Sequence, residues 1–434
     1  MMMRCWLVLF CWPMMLLAKE PDIQFVSNVT WKEVMTKARV EHKLIFIYYY
    51  AEGNRDAGKM NREVLSKVQV SNECNEQFVN VKITVDSAGN KEEASASLIQ
   101  SIAGYLQLVD VRARPGFLFF SPDGKILHRE EGFRDEPGFL SVIKNAVNSE
   151  RQYYSLLKRY REGTKEYSTY PYLATTARVL HDSAVAEEVS SVYTAYVLGK
   201  YVAEQRMSRK DIEFLSAFMR KPSDAGMRFF LDHGAWVDTI MGVRHYARSH
   251  IDAMVYSTVI DSLLISRNRS LTPATEPDWG LLEKHISQLF NEETAERNVN
   301  WAKIRWYEDQ KRWKEYCSCV VEKVEKYGPY EKHFPNNYYL ESAIRYNAAA
   351  WEVFSYCTDN VQLNKALLWS EKAMQQIAEP NAEFYDTYAN LLYKMGRVKE
   401  ALQYEEKALL MDPRDKYIQV NLDKMKKGDR TWKN

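Results

Sequence analysis

The stretch Lys43–Met60, KLIFIYYYAEGNRDAGKM, reads as a strand that runs into a polar turn and then into a helix. Lys43 to Ala51 is almost continuously apolar, as a strand needs to be when helices cover both faces of its sheet. Further along, RPGFLFFSPDGKILHREEGF (114–133) supplies two more strands, joined at Pro122, Asp123 and Gly124, residue types that suit a tight turn. Working outward, Trp31 to Ala38 carries apolar residues at helical spacing behind a capping Thr30, and Met60 to Val70 predicts a helix. Phe78 to Val85 predicts a strand, and Ala94 to Leu106 and Glu136 to Asn148 predict helices. Residues 19–150 therefore read as one α/β domain with a mixed sheet flanked by helices.

This region resembles the thioredoxin superfamily, in particular the branch written A-x-W-C-x-x-C-K-x-M followed by a short helix. Aligning Lys59, Met60, Glu63 and Val64 with that helix puts the motif's C-x-x-C on Asn54, Arg55, Asp56 and Ala57, so both cysteines are replaced, and Gly53 stands for the tryptophan. Pro115 matches the family's proline that faces the dithiol, commonly cis there, with Arg114 and Gly116 departing from the usual neighbours. A carboxamide and a methyl group can neither attack a disulfide nor resolve one, so the resemblance implies the fold without its exchange chemistry. What it leaves is an edge formed by Asn54, Arg55, Asp56, Ala57, Arg114 and Pro115, at the place where the superfamily holds extended peptides.

From 151 onward the chain reads as helices in series. Residues 151–345 predict helical hairpins, with Ser266 to Asp278 as a polar, proline-bearing break, and 346–434 predicts repeats. Ala382 to Pro413 resembles the tetratricopeptide (TPR) pattern, with Tyr385, Tyr388, Ala389, Leu392, Gly396, Ala401, Ala408 and Pro413 on signature positions. Ala366 and Ala373 repeat the same alanine spacing in a preceding unit that ends its first helix near Cys357. The whole is expected to be an α/β thioredoxin-like domain followed by an all-α, TPR-like array.

Composition narrows the function. Lysine plus arginine (59) nearly balances aspartate plus glutamate (58), which disfavours a nucleic-acid partner. Residues 1–18 have one charge, Arg4, an apolar stretch and then Ala18 before Lys19 and Glu20, the signature of a secretory signal, and no later run predicts a membrane span. Four cysteines then remain. Cys74 stands alone. Cys317 and Cys319 form C-x-C, but they are two residues apart on a helix, which places Cys317 on the apolar face and points Cys319 away from it. A Cys357 bridge to one of that pair is open in an oxidising compartment. No His/Cys cluster, phosphate loop or serine-hydrolase motif occurs, so no metal, cofactor or catalytic group is expected.

The arrangement resembles envelope proteins of Gram-negative bacteria that join a thioredoxin-type domain to TPRs, which implies a periplasmic location. The expected function is a redox-inactive, peptide- or protein-binding assembly factor. The alternative is a thiol oxidoreductase or isomerase working through the non-motif cysteines.

Overall fold

The structure is a computed structural model, and it describes residues 22–85, 93–106, 114–264, 275–329 and 338–432. The expected signal, 1–18, and most of the break at 266–278 lie outside the described residues. The chain divides into two compact units, 1–196 and 197–434.

In the first unit, five strands form one mixed sheet: β1 (Phe25–Val26), β2 (Leu44–Ala51), β3 (Phe78–Val85), β4 (Gly116–Phe120) and β5 (Ile126–Glu131). Their order is β1-β3-β2-β4-β5, with β1 and β2 parallel to β3, and β4 antiparallel to both β2 and β5. This is a thioredoxin-like α/β domain. The helices are α1 (Trp31–Glu41), α2 (Arg55–Glu63), α3 (Val68–Gln77), α4 (Glu93–Leu106) and α5 (Glu136–Val147).

The continuous apolar run of β2 is explained by its two buried faces. Phe46 and Tyr48 join the core with Met60 of α2, Cys74 of α3 and Phe139 of α5, while Ile45, Ile47 and Tyr49 join the opposite core with Val34 of α1 and Ile102 of α4. Stacked rings, Phe46 on Phe119 at 5.1 Å and Tyr48 on Phe117 at 5.6 Å, hold the first core together. Thr30 caps α1 in a reciprocal box with Glu33, and Gly124 (φ +78°) makes the β4–β5 turn at Pro122 and Asp123.

The single helix expected over Met60 to Val70 is instead two. Asn54 starts α2 earlier by capping it, Val64 leaves helical geometry at φ −124°, and Leu65 N–H bonds back to Met60 before α3 begins. Helical hairpins follow, and the helix Tyr153–Arg161 already belongs to the first unit: Tyr153 N–H donates to His128 Nδ1 of β5 at 3.1 Å.

The second unit is all-helical in its described residues. At its end, the helices Tyr338–Tyr356 and Asn360–Gln375 form one hairpin, Ala382–Lys394 and Val398–Met411 the next, and Lys416–Lys427 closes the series. Ala366, Ala373, Ala389, Ala401 and Ala408 are all fully buried, since only a methyl group lets the paired backbones approach this closely. Gly396 makes the turn between the second pair at φ +81°. Among the described residues no helix is long and apolar enough to cross a membrane.

Candidate functional site

At the C-terminal end of β2 the chain reverses through Gly53, whose φ of +75° suits a residue without Cβ. Asn54 then caps α2. Ala57 N–H donates to its Oδ1 at 2.9 Å, so the carboxamide at the first motif position is committed to the helix start. Ala57, at the second position, turns its methyl into the core with 1% exposure, and its carbonyl accepts from the Tyr48 hydroxyl at 3.3 Å. Arg55 is exposed and Asp56 half-buried in the first turn, where its negative charge suits the helix dipole.

The other half of the site enters on β4. Gly116 pairs with Tyr49 across the sheet, which sets Arg114 and Pro115 at the same end of β2 as the α2 cap. Pro115 is buried, and its carbonyl accepts from Gly132 N–H at 2.8 Å. No described peptide bond is cis, so Pro115 departs here from the family's habit. Arg114 is exposed and reaches Glu131 at 3.7 Å. Gly132 lies between the Arg114 side chain and Arg134, and Arg134 N–H contacts Met60 Sδ of α2 at 3.4 Å, so the two halves meet around this loop. Of the six expected edge residues, Arg55 and Arg114 are exposed, Asn54 and Asp56 partly so, and Ala57 and Pro115 are buried beneath them.

A layer that sequence reading missed lies behind Arg114. Glu131 is 5% exposed and Arg129 2%; Arg129 Nη2 donates to the Leu180 carbonyl at 2.8 Å, while its Nε and Nη1 and the Tyr49 hydroxyl are buried without hydrogen-bond partners among the described residues. Burial pushes the Tyr49 phenol well above its ordinary range. The signal was visible in retrospect, because His128-Arg129-Glu130-Glu131 is a charged run inside a strand.

The thiols lie elsewhere. Cys74 in α3 is fully buried, and burial pushes its thiol up to about 12. Cys317 bonds Cys357 across Cα atoms 5.8 Å apart. Cys319, expected to point away from the apolar face that carries Cys317, is itself buried at 8% exposure, and burial pushes its thiol up to about 11. Its helix, Trp313–Tyr327, packs against Glu292–Asp309 as well as the first repeat hairpin, so an inner helix of the array buries more than one face. Among the described residues no group of three or more His, Cys, Asp or Glu side chains is placed to hold a metal.

No known protein family and no curated protein matches the sequence. Among solved structures, the chain is similar to a DsbH oxidoreductase, at 17% identity over 29% of this chain and 85% of that one, with a TM-score of 0.26. It is also similar to a structure of Naa15/Naa10 bound to HypK-THB, at 15% identity over 66% of this chain, with a TM-score of 0.22. In the second case the chain spans just under half, 49%, of the matched chain. The strand order and register above define the α/β fold independently of either.

Proposed function

We propose that this chain is an exported, redox-inactive thioredoxin-fold protein that binds polypeptide and acts as an assembly factor through its TPR-like repeats and the Asn54–Asp56/Arg114 edge. The observation that carries the reading is the fate of the dithiol positions. One is a helix cap and the other a core methyl, and each described cysteine is either buried and held as a neutral thiol or tied in the Cys317–Cys357 bridge. A thiol kept neutral by burial is a poor nucleophile, so none of these groups takes over the missing exchange step. The bridge also supports export, because such disulfides persist in oxidising compartments such as the periplasm. The edge offers exposed arginines rather than a reactive atom.

Two measurements test this. Insulin reduction by the full chain should show no turnover, and turnover that disappears in Cys74→Ser or Cys317→Ser would replace binding with thiol chemistry. Crosslinking in the native envelope should recover a polypeptide partner whose yield drops in Arg114→Glu; unchanged yield would remove the edge from the binding surface.

A further inference from the structure

The outer strand of the sheet, β5, carries a histidine that holds the start of the helix packed on it. The first N–H groups of a helix have no partner inside it. In Tyr153–Arg161 the preceding residue, Gln152, does not cap them with its side chain; its Nε2 donates instead to the Ala146 carbonyl at 2.8 Å. The Tyr153 N–H is taken by His128 Nδ1 at 3.1 Å. Since a backbone N–H can only donate, Nδ1 keeps its lone pair toward the helix and the neutral ring carries its proton on Nε2. That nitrogen is buried, has no hydrogen-bond partner among the described residues, and lies 3.6 Å from Glu130 Oε1. His128 is 0% exposed and pairs across the sheet with Phe119, whose ring centroid is 5.9 Å from its own.

The two sides of this ring make opposite demands on a second proton. Glu130 attracts it, because one carboxylate oxygen faces the ring while the other accepts from Arg134 Nη2 at 3.0 Å. The helix side opposes it. Protonation turns Nδ1 from acceptor into donor, so two N–H groups would face each other, and it puts a cation at the positive end of the helix dipole. On the helical hairpin, the nearby titratable groups are engaged elsewhere: the Tyr153 hydroxyl donates to Asp182 Oδ2 at 2.8 Å and the Tyr172 hydroxyl to the Arg151 carbonyl at 3.0 Å. β4 and α5 bring apolar side chains to this core, Phe119, Phe139 and Ala146 among them. Arg129 and Glu131 lie on the opposite face of β5, as side chains alternate along a strand.

We infer that His128 is an acid-operated latch: the neutral ring docks the start of Tyr153–Arg161 on β5, and the protonated ring releases it. Histidine suits the task, since its ordinary titration spans the mildly acidic range. The release is local. Arg129 Nη2 still donates to the carbonyl of Leu180, which ends the helix Tyr170–Val179, so the hairpin stays tethered while its first helix lifts from the outer strand. The latch needs no ligand and stands or falls independently of the polypeptide edge.

Amide hydrogen exchange of the full chain, corrected for the intrinsic effect of pH on exchange, tests it across the ordinary histidine range, about pH 7.5 to about pH 5. Opening of Tyr153–Arg161 is expected to rise toward acid, by up to about tenfold per pH unit for one linked proton, while Glu136–Val147 of α5 keeps its protection. His128→Asn, which offers a non-titrating oxygen acceptor in place of Nδ1, should keep the helix docked throughout. His181→Asn, at an exposed histidine of the same unit, should leave the transition unchanged. If the His128 variant does not fold, isotopic labelling of the histidine nitrogens in the native chain gives a second reading: Nδ1 bare at the neutral end of the range, and protonated in step with the loss of helix protection. Protection of the native helix that ignores pH, a pH dependence that survives His128→Asn or vanishes in His181→Asn, or a proton on Nδ1 at neutral pH would overturn the latch.

Discussion

At the scale of single residues, the least expected finding is a buried pair of carboxyl groups in the last repeat. Glu405 is fully buried on the same helical face as Ala401 and Ala408, facing Asp386, whose Oδ1 accepts from Asn390 and Asn421 at 3.0 and 2.9 Å. Burial first, and the Asp386 charge second, push the Glu405 carboxyl up to about 10. An acid whose folded-state value is raised contributes its stability below the unfolded value near 4.5 and loses it progressively as pH rises toward 10. Thermal melts should therefore fall from pH 5 to pH 9, and Glu405→Gln should flatten that slope while holding or raising stability at pH 7; an unchanged slope would mean the pair does not share a proton. The alanine positions of this face were legible from spacing. That a glutamate sits among them was legible too, but its partner was not, because Asp386 and Asn421 come from two other helices.

A second residue-scale prediction concerns Gly116. A Cβ there would lie 2.1 Å from Tyr49 Cζ, inside any tolerable contact, because the Tyr49 ring lies across the glycine. Gly116→Ala should cost about 1–3 kcal/mol in chemical unfolding of the first unit, through displacement of the tyrosine. Equal stability would show that the ring has an alternative place.

At the scale of elements, the first turn of α2 is held by structural contacts at positions 54 and 57. Its start is set by Asn54, and Asn54→Ala should cost about 1 kcal/mol by releasing the capped N–H of Ala57, measured by urea denaturation. The same geometry makes a constructive test. Positions 54 and 57 span the first turn, where one side chain caps and the other is buried, so Asn54→Cys/Ala57→Cys should close an internal disulfide on mild oxidation, detected as the loss of two titratable thiols. Failure to close would show that the aligned positions do not keep the motif's spacing. The strand and helix sequence around this site was readable from periodicity alone, since β2 and β3 alternate their side chains into two cores. The break between α2 and α3 was not, because Met60 to Val70 keeps helical spacing while the backbone turns at Val64 to deliver α3 to its own place against the sheet.

At the scale of the whole molecule, the repeat array is closed by links between elements distant in sequence. The Cys317–Cys357 bridge closes a loop of 40 residues, which in the chain-entropy view stabilises the folded state by about 4 kcal/mol. Cys317→Ser, or reduction of the native chain, should lower the midpoint of the helical unit's unfolding transition and leave the α/β transition in place; coincident loss of both would mean that the two unfold as one. Near the same helix end, Lys394 Nζ donates to the Phe354 carbonyl at 2.6 Å beside the Trp432 ring, so Trp432 packs close to the first repeat. What the sequence by itself determined was the order of elements, the mixed sheet, the terminal repeats and the absence of cysteine at positions 54 and 57, because these follow from side-chain periodicity and from which atoms are present. Only the tertiary structure decided which cysteine meets Cys357, that Cys319 is buried, and that Arg129 and Glu131 form an inner polar layer. Those outcomes depend on how helices stack, and residues far apart in the chain meet there without leaving a pattern in it.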